Sequence, residues 1–115
     1  MIEVRDRRVI VVGTGKSGIG SAVLLEKNGA LPVLYDGNEK ADIDAVKTLM
    51  RERLGHDTKA EFHIGAFQDE ITEGVELAVL SPGVPVDADF VVYMKTQGIH
   101  IWGEIELGYH YAKGR

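Results

Sequence analysis

The sequence contains no cysteine, one tryptophan and three prolines among its 115 residues. Without cysteine the chain can form neither disulfides nor thiolate metal sites, which fits a reducing compartment. The charged N-terminus lacks an apolar signal region, and no apolar run is long enough to span a bilayer. We therefore expect a protein of the cytoplasm.

Positive charge is the scarcer sign, with 13 lysines and arginines against 18 aspartates and glutamates and a net charge of −5. Acidic residues cluster at Asp69, Glu70, Glu73 and Glu76, where we expect only a solvated surface. This balance argues against a nucleic-acid-binding protein. The length predicts one domain, residues 1–115, that buries roughly two thirds of its unfolded surface.

The most informative stretch runs from Val9 to Gly18. Four apolar residues, 9–12, predict a strand buried on both faces, and Gly-Thr-Gly-Lys-Ser-Gly at 13–18 then follows the G-x-G-x-x-G pattern of a strand-to-helix turn. Glycines allow a ligand to approach closely, and the free N–H groups at a helix start favour an anion. This glycine turn, residues 13–18, therefore predicts a phosphate or pyrophosphate site that includes Lys16. Tight packing alone is the alternative.

Gly15-Lys16-Ser17 also resembles the end of a nucleotide-hydrolysing phosphate loop. That motif, G-x-x-x-x-G-K-[ST], requires glycine where this chain has Ile10, and the apolar segment 77–80 ends in Ser81-Pro82 instead of a magnesium-binding aspartate. We do not expect nucleotide hydrolysis by this chain alone. The four histidines lack metal-ligand spacing, and no nucleophile stands near a base, so we predict neither a metal site nor catalytic residues.

The rest of the chain alternates between predicted strands and helices. Strands are expected at residues 9–12, 31–35, 59–64, 75–80 and 99–102. A surface helix should run from about Asp42 to Leu54, and Asp87 should cap the helix after the fourth strand. The last helix is expected to place four residues on one face: Ile105, Gly108, Tyr109 and Ala112. This alternation predicts an α/β fold of the Rossmann-like, three-layer α/β/α type, with a five-stranded, mostly parallel sheet in the order 3-2-1-4-5.

Two further bends follow predicted strands. Asp36 comes 18 residues after Gly18, near the position where Rossmann-like units place an acidic residue against a ribose hydroxyl. Alternatively, Asp36 and Asn38 form a turn and cap the next helix, but the spacing favours the ligand role. Pro82-Gly83 suits a type II turn, which faces the glycine turn if the fourth strand lies beside the first. A plain turn is the alternative there.

The order of these motifs resembles the N-terminal domain of the Mur ligases, and within that family the D-glutamate-adding branch. The resemblance covers nearly the whole chain and rests on four segments: residues 13–18, Asp36, Ser81-Pro82-Gly83-Val84 and Gly103-Glu104-Ile105-Glu106-Leu107. It implies a UDP-substrate-binding domain that holds UDP-N-acetylmuramoyl-L-alanine during peptidoglycan precursor synthesis.

The resemblance also implies a set of substrate contacts. Backbone N–H groups of residues 15–17 would contact the diphosphate, with the Ser17 hydroxyl as an extra donor. Residues 36–38 would contact the uridine, where Asp36 can accept from a ribose hydroxyl or the uracil N–H, and residues 81–83 would contact the diphosphate and sugar. The expected substrate-binding residues are Thr14, Gly15, Lys16, Ser17, Gly18, Asp36, Gly37, Asn38, Ser81, Pro82 and Gly83. Family members often have arginine where this chain has Asn38, and asparagine cannot stack on a base as a guanidinium does.

In the family, a central ATPase domain and a third domain that binds the incoming amino acid follow, and these 115 residues contain neither. The whole enzyme is expected to use ATP and Mg²⁺ to phosphorylate the muramoyl-alanine carboxylate before D-glutamate attacks. We therefore expect no cofactor in this domain and no turnover by it alone. The alternatives are a stand-alone NAD- or nucleotide-sensing module, which leaves the Ser-Pro-Gly-Val and Gly-Glu-Ile-Glu-Leu segments unexplained, and a protein-interaction domain.

Overall fold

The computed structural model describes residues 4–113 and contains five strands that alternate with helices. The strands are β1 (Arg8–Val12), β2 (Leu31–Asp36), β3 (Glu61–Ile64), β4 (Leu77–Leu80) and β5 (His100–Gly103). The α-helices are α1 (Lys16–Lys27), α2 (Ile43–Leu54), α3 (Asp89–Thr96) and α4 (Glu104–Lys113), and a short 3-10 helix, Asp69–Thr72, precedes β4. None of the helices in this described part is long and apolar enough to cross a membrane.

All five strands pair in parallel, in the order β3-β2-β1-β4-β5. This confirms the predicted order and the Rossmann-like fold. The register sets Val12 opposite both Tyr35 of β2 and Leu80 of β4, so the three central strands end at the same level. Because parallel strands all point one way, their carboxyl ends form a single edge from which the following bends emerge.

The side chains of β1 alternate between two apolar layers. Val9 and Val11 pack with residues of α1, α2 and α4, whereas Ile10 and Val12 pack with α3 and the 3-10 helix. These four side chains are at most 4% exposed, as predicted for a strand buried on both faces. The sheet therefore lies between two helical layers, as the three-layer prediction requires.

The bounds of α2 agree with the predicted range, whereas the cap of α3 differs from the prediction. The Asp42 Oδ1 accepts a hydrogen bond from the Ala45 N–H at 3.0 Å, and Gly55 ends α2 in the left-handed region at φ +84°. The predicted cap of α3 by Asp87 is wrong. Ala88 occupies that position without a side-chain hydrogen bond, because a turn closed by the Ala88 N–H and Pro85 O takes up Asp87.

Two of the residues expected to share one face of α4, Ile105 and Tyr109, lie on an exposed side of the helix. Ile105 is 82% exposed and Tyr109 65% exposed, whereas Leu107 on the opposite side is 1% exposed and packs in the core with Trp102. The helix follows β5 with no intervening loop, and this connection fixes which of its faces meets the sheet.

Two predicted strands begin two residues later than expected, and β5 begins one residue later, at His100. β3 starts at Glu61 instead of residue 59 because the Lys59 N–H donates to the Glu26 carboxylate at 3.1 Å and not to a neighbouring strand. β4 starts at Leu77 instead of residue 75. The connection between them is not only polar surface, since Ile71 is 1% exposed and the Phe67 ring packs edge-on against Tyr35.

Candidate functional site

Three bends lie side by side at the carboxyl edge of the sheet: the glycine turn, the second bend (residues 36–38) and the third bend (residues 81–84). The Gly13 N–H donates to Tyr35 O of β2 at 2.7 Å. On the other side, the Ser81 N–H donates to Val12 O of β1 at 3.1 Å. The glycine turn is thereby tied to the strands that lead into both other bends.

Gly13 and Gly18 are required by the protein's own packing. Gly13 has a φ of +107°, and a Cβ there would lie 2.6 Å from the Ser81 Oγ. A Cβ at Gly18 would lie 1.9 Å from Gly13 O, far inside any tolerable contact. The start of α1 and the end of β1 thus approach each other at backbone distance. For these two glycines, tight packing is a sufficient explanation.

Gly15 differs because nothing in the described chain requires glycine at that position. Its φ of −77° suits any residue, and an added Cβ would meet no heavy atom within 4 Å. Gly15 is the N-cap residue of α1, a position where Gly is accepted about as well as Thr, and no side chain caps the helix there. The exposed Gly15 backbone and the first N–H groups of α1 are therefore open to an external acceptor.

Charge and polarity around the start of α1 favour an anion. Lys16 is exposed and forms no ion pair within residues 4–113. The partly buried Ser17 lines a groove of about 310 Å³ between α1 and α4. The Ser81 Oγ is buried against the glycine turn and has no hydrogen-bond partner in the described part of the chain. Because a buried hydroxyl without a partner costs free energy, this atom is suited to a further polar group.

Asp36 is the first residue of the second bend, and its side chain contacts the glycine turn. One carboxylate oxygen, Oδ2, accepts from the Thr14 hydroxyl at 2.7 Å and from the Thr14 N–H at 3.1 Å. The other, Oδ1, accepts from the Asn38 N–H at 2.9 Å. Burial by itself would raise the pKa of Asp36, but the hydrogen bonds from Asn38 and Thr14 outweigh it and hold the pKa below its ordinary value.

The second bend thus contains the turn that the sequence left open as an alternative. The Asn38 Oδ1 in turn accepts from the Lys40 N–H at 2.9 Å, while the cap of α2 is Asp42. Turn formation and ligand binding are compatible here, since Gly37 and Asn38 remain exposed. The Tyr35 hydroxyl donates to Gly65 O at 2.6 Å beneath this bend and ties it to the residues that follow β3.

The third bend has the geometry expected of a type II turn. The Val84 N–H donates to Ser81 O at 3.2 Å, and Gly83 has a φ of +92°. Pro82 and Gly83 are exposed at its tip. This bend forms one wall of a groove of about 400 Å³, which also lies against the end of β5 and the start of α4.

This larger groove contains residues that the sequence reasoning assigned to no site: Trp102, Gly103, Glu104, Ile105 and Glu106. The Gly-Glu-Ile-Glu-Leu segment entered the prediction only through the family resemblance. A signal was present, because the predicted strand order sets the end of β5 beside the third bend. The glycine turn and the second bend do not line this groove.

Residues 4–113 contain no group of three or more His, Asp or Glu side chains that could hold a metal ion. The edge offers backbone N–H groups, hydroxyls, the Lys16 ammonium and the Asp36 carboxylate, which accepts from the Thr14 hydroxyl. Backbone N–H groups at a helix start together with a lysine are groups that favour an anionic ligand.

Residues 7–103 match the family model for the Mur ligase MurD-like N-terminal domain. The chain is 50% identical over 114 residues to the UDP-N-acetylmuramoylalanine--D-glutamate ligase of Lachnospira eligens, covering 99% of this chain and 24% of that protein. It is 39% identical over 109 residues to the same ligase of Lachnoclostridium phytofermentans, covering 95% of this chain and 23% of the relative. The chain thus spans about a quarter of the length of these curated relatives.

Among solved structures, the fold is similar to shikimate 5-dehydrogenase from Listeria monocytogenes in complex with shikimate and NAD. The TM-score is 0.55 at 10% identity, over 89% of this chain and 47% of the dehydrogenase. Lactate dehydrogenase from Eimeria maxima with NADH and oxamate has a TM-score of 0.53 at 12% identity, over 90% and 37% of the two chains. At these identities the likeness establishes the Rossmann-like fold and nothing about the ligand.

Proposed function

The chain belongs to the family of MurD-like N-terminal domains of Mur ligases, and from this we propose that it binds the UDP part of UDP-N-acetylmuramoyl-L-alanine. The observation that carries the proposal is Gly15. Glycine stands there although the fold would accept a side chain, and it stands beside the free N–H groups of α1. A diphosphate needs that close backbone approach and those donors.

Each of the three bends contacts a different part of the ligand. Residues 15–17 contact the diphosphate through backbone N–H groups, with the Ser17 hydroxyl as a further donor and Lys16 as a positive charge. The second bend lies against the uridine, where Asn38 supplies an amide in place of a stacking guanidinium. Residues 81–83 lie over the diphosphate and sugar, and the unpartnered Ser81 Oγ supports this assignment.

In the longer ligase, this domain presents the substrate to the parts of the protein that follow it. Those parts would bind ATP with Mg²⁺, and ATP would transfer its γ-phosphoryl group to the muramoyl-alanine carboxylate to give an acyl phosphate and ADP. They would also bind D-glutamate, whose amine would attack the acyl phosphate to form the amide and release phosphate. The reaction adds D-glutamate during peptidoglycan synthesis in the cytoplasm. This domain alone contributes substrate binding and has no turnover.

A ligand titration tests the proposal. The ¹⁵N-labelled chain is titrated separately with UDP-N-acetylmuramoyl-L-alanine, UDP, NAD and ATP, and amide shifts are followed. The two UDP ligands are expected to shift residues 14–18, 36–38 and 81–84. A response to NAD alone would favour a nucleotide sensor, and UDP-induced shifts that avoid the three bends would contradict the proposed site.

Gly15→Ala provides the sharpest variant for the same titration. The added methyl group lies where the diphosphate must approach, so UDP affinity should fall on the order of tenfold, as for the loss of one hydrogen bond to a charged group. Gly20→Ala, further along α1, is the matched control, because its Cβ would make only an ordinary contact of 3.8 Å with the Arg53 Nη1. If Gly15→Ala, Gly20→Ala and the unmodified chain all bind UDP with the same affinity, Gly15 no longer supports the proposed diphosphate site.

A further inference from the structure

We propose that Asp36 is a positioning residue, whose carboxylate fastens the glycine turn to the second bend through Thr14, and that it is not primarily an acceptor for the ligand's ribose. The inference rests on the proposed function, since the segment it fixes is the diphosphate-binding turn. Its basis is the pair of hydrogen bonds that Thr14 donates to one oxygen of Asp36, at 2.7 Å and 3.1 Å.

Counting acceptor positions separates the two roles of Asp36. A carboxylate offers about four lone-pair positions. Thr14 donates to two of them and the Asn38 N–H to a third. A ribose, which in dinucleotide-binding folds meets such an acid through its hydroxyls, would find at most one position free. The chain itself is therefore the principal partner of this carboxylate.

The position of Thr14 explains why this link matters for binding. Thr14 lies between Gly13 and Gly15, neither of which has a side chain. Among residues 13–15, only Thr14 can therefore anchor the turn through a side-chain hydrogen bond. Gly13 also adopts a φ of +107°, which glycine reaches without restraint. Asp36 is held in place by β2 and by its own turn with Asn38. Fixing Thr14 against Asp36 thus fixes the Gly15 backbone that approaches the diphosphate.

The test compares UDP with inorganic pyrophosphate, which has no ribose and no base. Thr14→Val removes the hydroxyl but keeps the size and backbone N–H of Thr14 as well as the charge of Asp36. Thr14→Ser restores the hydroxyl. We expect Thr14→Val to weaken both ligands by a similar factor, on the order of tenfold, and Thr14→Ser to bind like the unmodified chain. In an Asp36→Ala background, Thr14→Val should have no further effect.

Other outcomes overturn the proposal. If Thr14→Val leaves both affinities unchanged while Asp36→Ala weakens UDP alone, Asp36 is a direct acceptor for the ribose or the uracil of the ligand. If Thr14→Val weakens UDP but not pyrophosphate, the link does not position the diphosphate turn. Failure of the unmodified chain to bind any UDP ligand would instead refute the proposed function.

A measurement on the ligand-free variants shows whether a loss of affinity comes from the lost hydrogen bond or from poor folding. In the free chain, NMR titration of the Asp36 carboxyl should show its pKa rising in Thr14→Val and unchanged in Thr14→Ser, because the hydroxyl is one of the groups that lower it. An unchanged pKa in a folded Thr14→Val chain would show that the link is not formed in solution and would overturn the proposal.

Discussion

The two edges of the sheet each hold a carboxylate with a lowered pKa, and they hold it by different means. At the carboxyl edge, neutral donors from Asn38 and Thr14 surround Asp36. Near the amino edge, Glu61 is held chiefly by the Arg8 guanidinium, which donates to its two oxygens at 2.8 Å and 3.2 Å and lowers the pKa of Glu61. Arg8 also donates to Glu73 O.

The two edges also differ in whether their charged side chains are paired. Near the amino edge, Glu61 pairs with Arg8, and Glu76 forms a weak pair with Arg7 at 3.9 Å. At the carboxyl edge, Lys16 forms no ion pair within residues 4–113, and Asp36 keeps its negative charge because its hydrogen-bond donors are uncharged. For the proposed diphosphate site, the positive contributions are therefore Lys16 and the N–H groups at the start of α1, in a chain with a net charge of −5.

The largest effect is expected from a change that disturbs the packing of the carboxyl edge. Gly18→Ala would force a Cβ to 1.9 Å from a backbone oxygen, which no side-chain rotation can relieve. We expect a loss of about 3 kcal/mol or more in the free energy of unfolding, measured by urea denaturation. Gly15→Ala is the matched control and should cost less than about 1 kcal/mol. Similar losses in both variants would mean that the two glycines do not have separate roles.

A smaller effect is expected at the amino edge. Arg8→Met removes the paired hydrogen bonds to the partly exposed Glu61 and should lower the free energy of unfolding by about 1 kcal/mol. UDP affinity should stay the same, because the two edges lie at opposite ends of the strands. Denaturation and UDP titration of this one variant check both parts. A clear loss of UDP affinity would break the contrast between the edges.

The smallest effect concerns acid stability. Both carboxylates have a lower pKa in the folded chain than when unfolded, so their stabilisation is present above about pH 4 and is lost as pH falls through the folded values. Asp36→Asn and Glu61→Gln should each flatten the decline of stability with falling pH. Added salt should weaken the contribution of the exposed Glu61 pair more than that of Asp36. Equal salt sensitivity would contradict the different origins of the two pKa shifts.

Most of the fold could be predicted because its signals are local. Four apolar residues at 9–12 predict the buried strand, Asp42 and Gly55 stand at the two ends of α2, and strand alternation with right-handed crossovers leads to the observed order. Errors occur where distant contacts override the local pattern. The Glu26 carboxylate accepts from the Lys59 N–H, 33 positions away, and β3 therefore begins only at Glu61.

The candidate site was only partly visible in the sequence. The glycine pattern located the turn, but it could not distinguish Gly15, which is free to carry a side chain, from Gly18, which is not. That distinction depends on how closely α1 approaches β1. The link between Thr14 and Asp36 joins residues 22 positions apart, and it exists only because β1 and β2 pair in register. Side-chain contacts across a sheet leave no periodic signal.

The contact of the Ser81 Oγ with Gly13 and Gly18 has a consequence for how the chain can evolve. These three positions, separated by up to 68 residues, share one small volume: a Cβ at Gly13 would lie 2.6 Å from the Ser81 Oγ, and one at Gly18 would lie 3.3 Å from it. The two glycines nevertheless differ, because a Cβ at Gly18 would also lie 1.9 Å from the Gly13 backbone oxygen, which is present whatever the side chains are. Across related sequences, glycine should therefore be retained at Gly18 even where Ser81 is replaced, whereas Gly13 and Ser81 should change together.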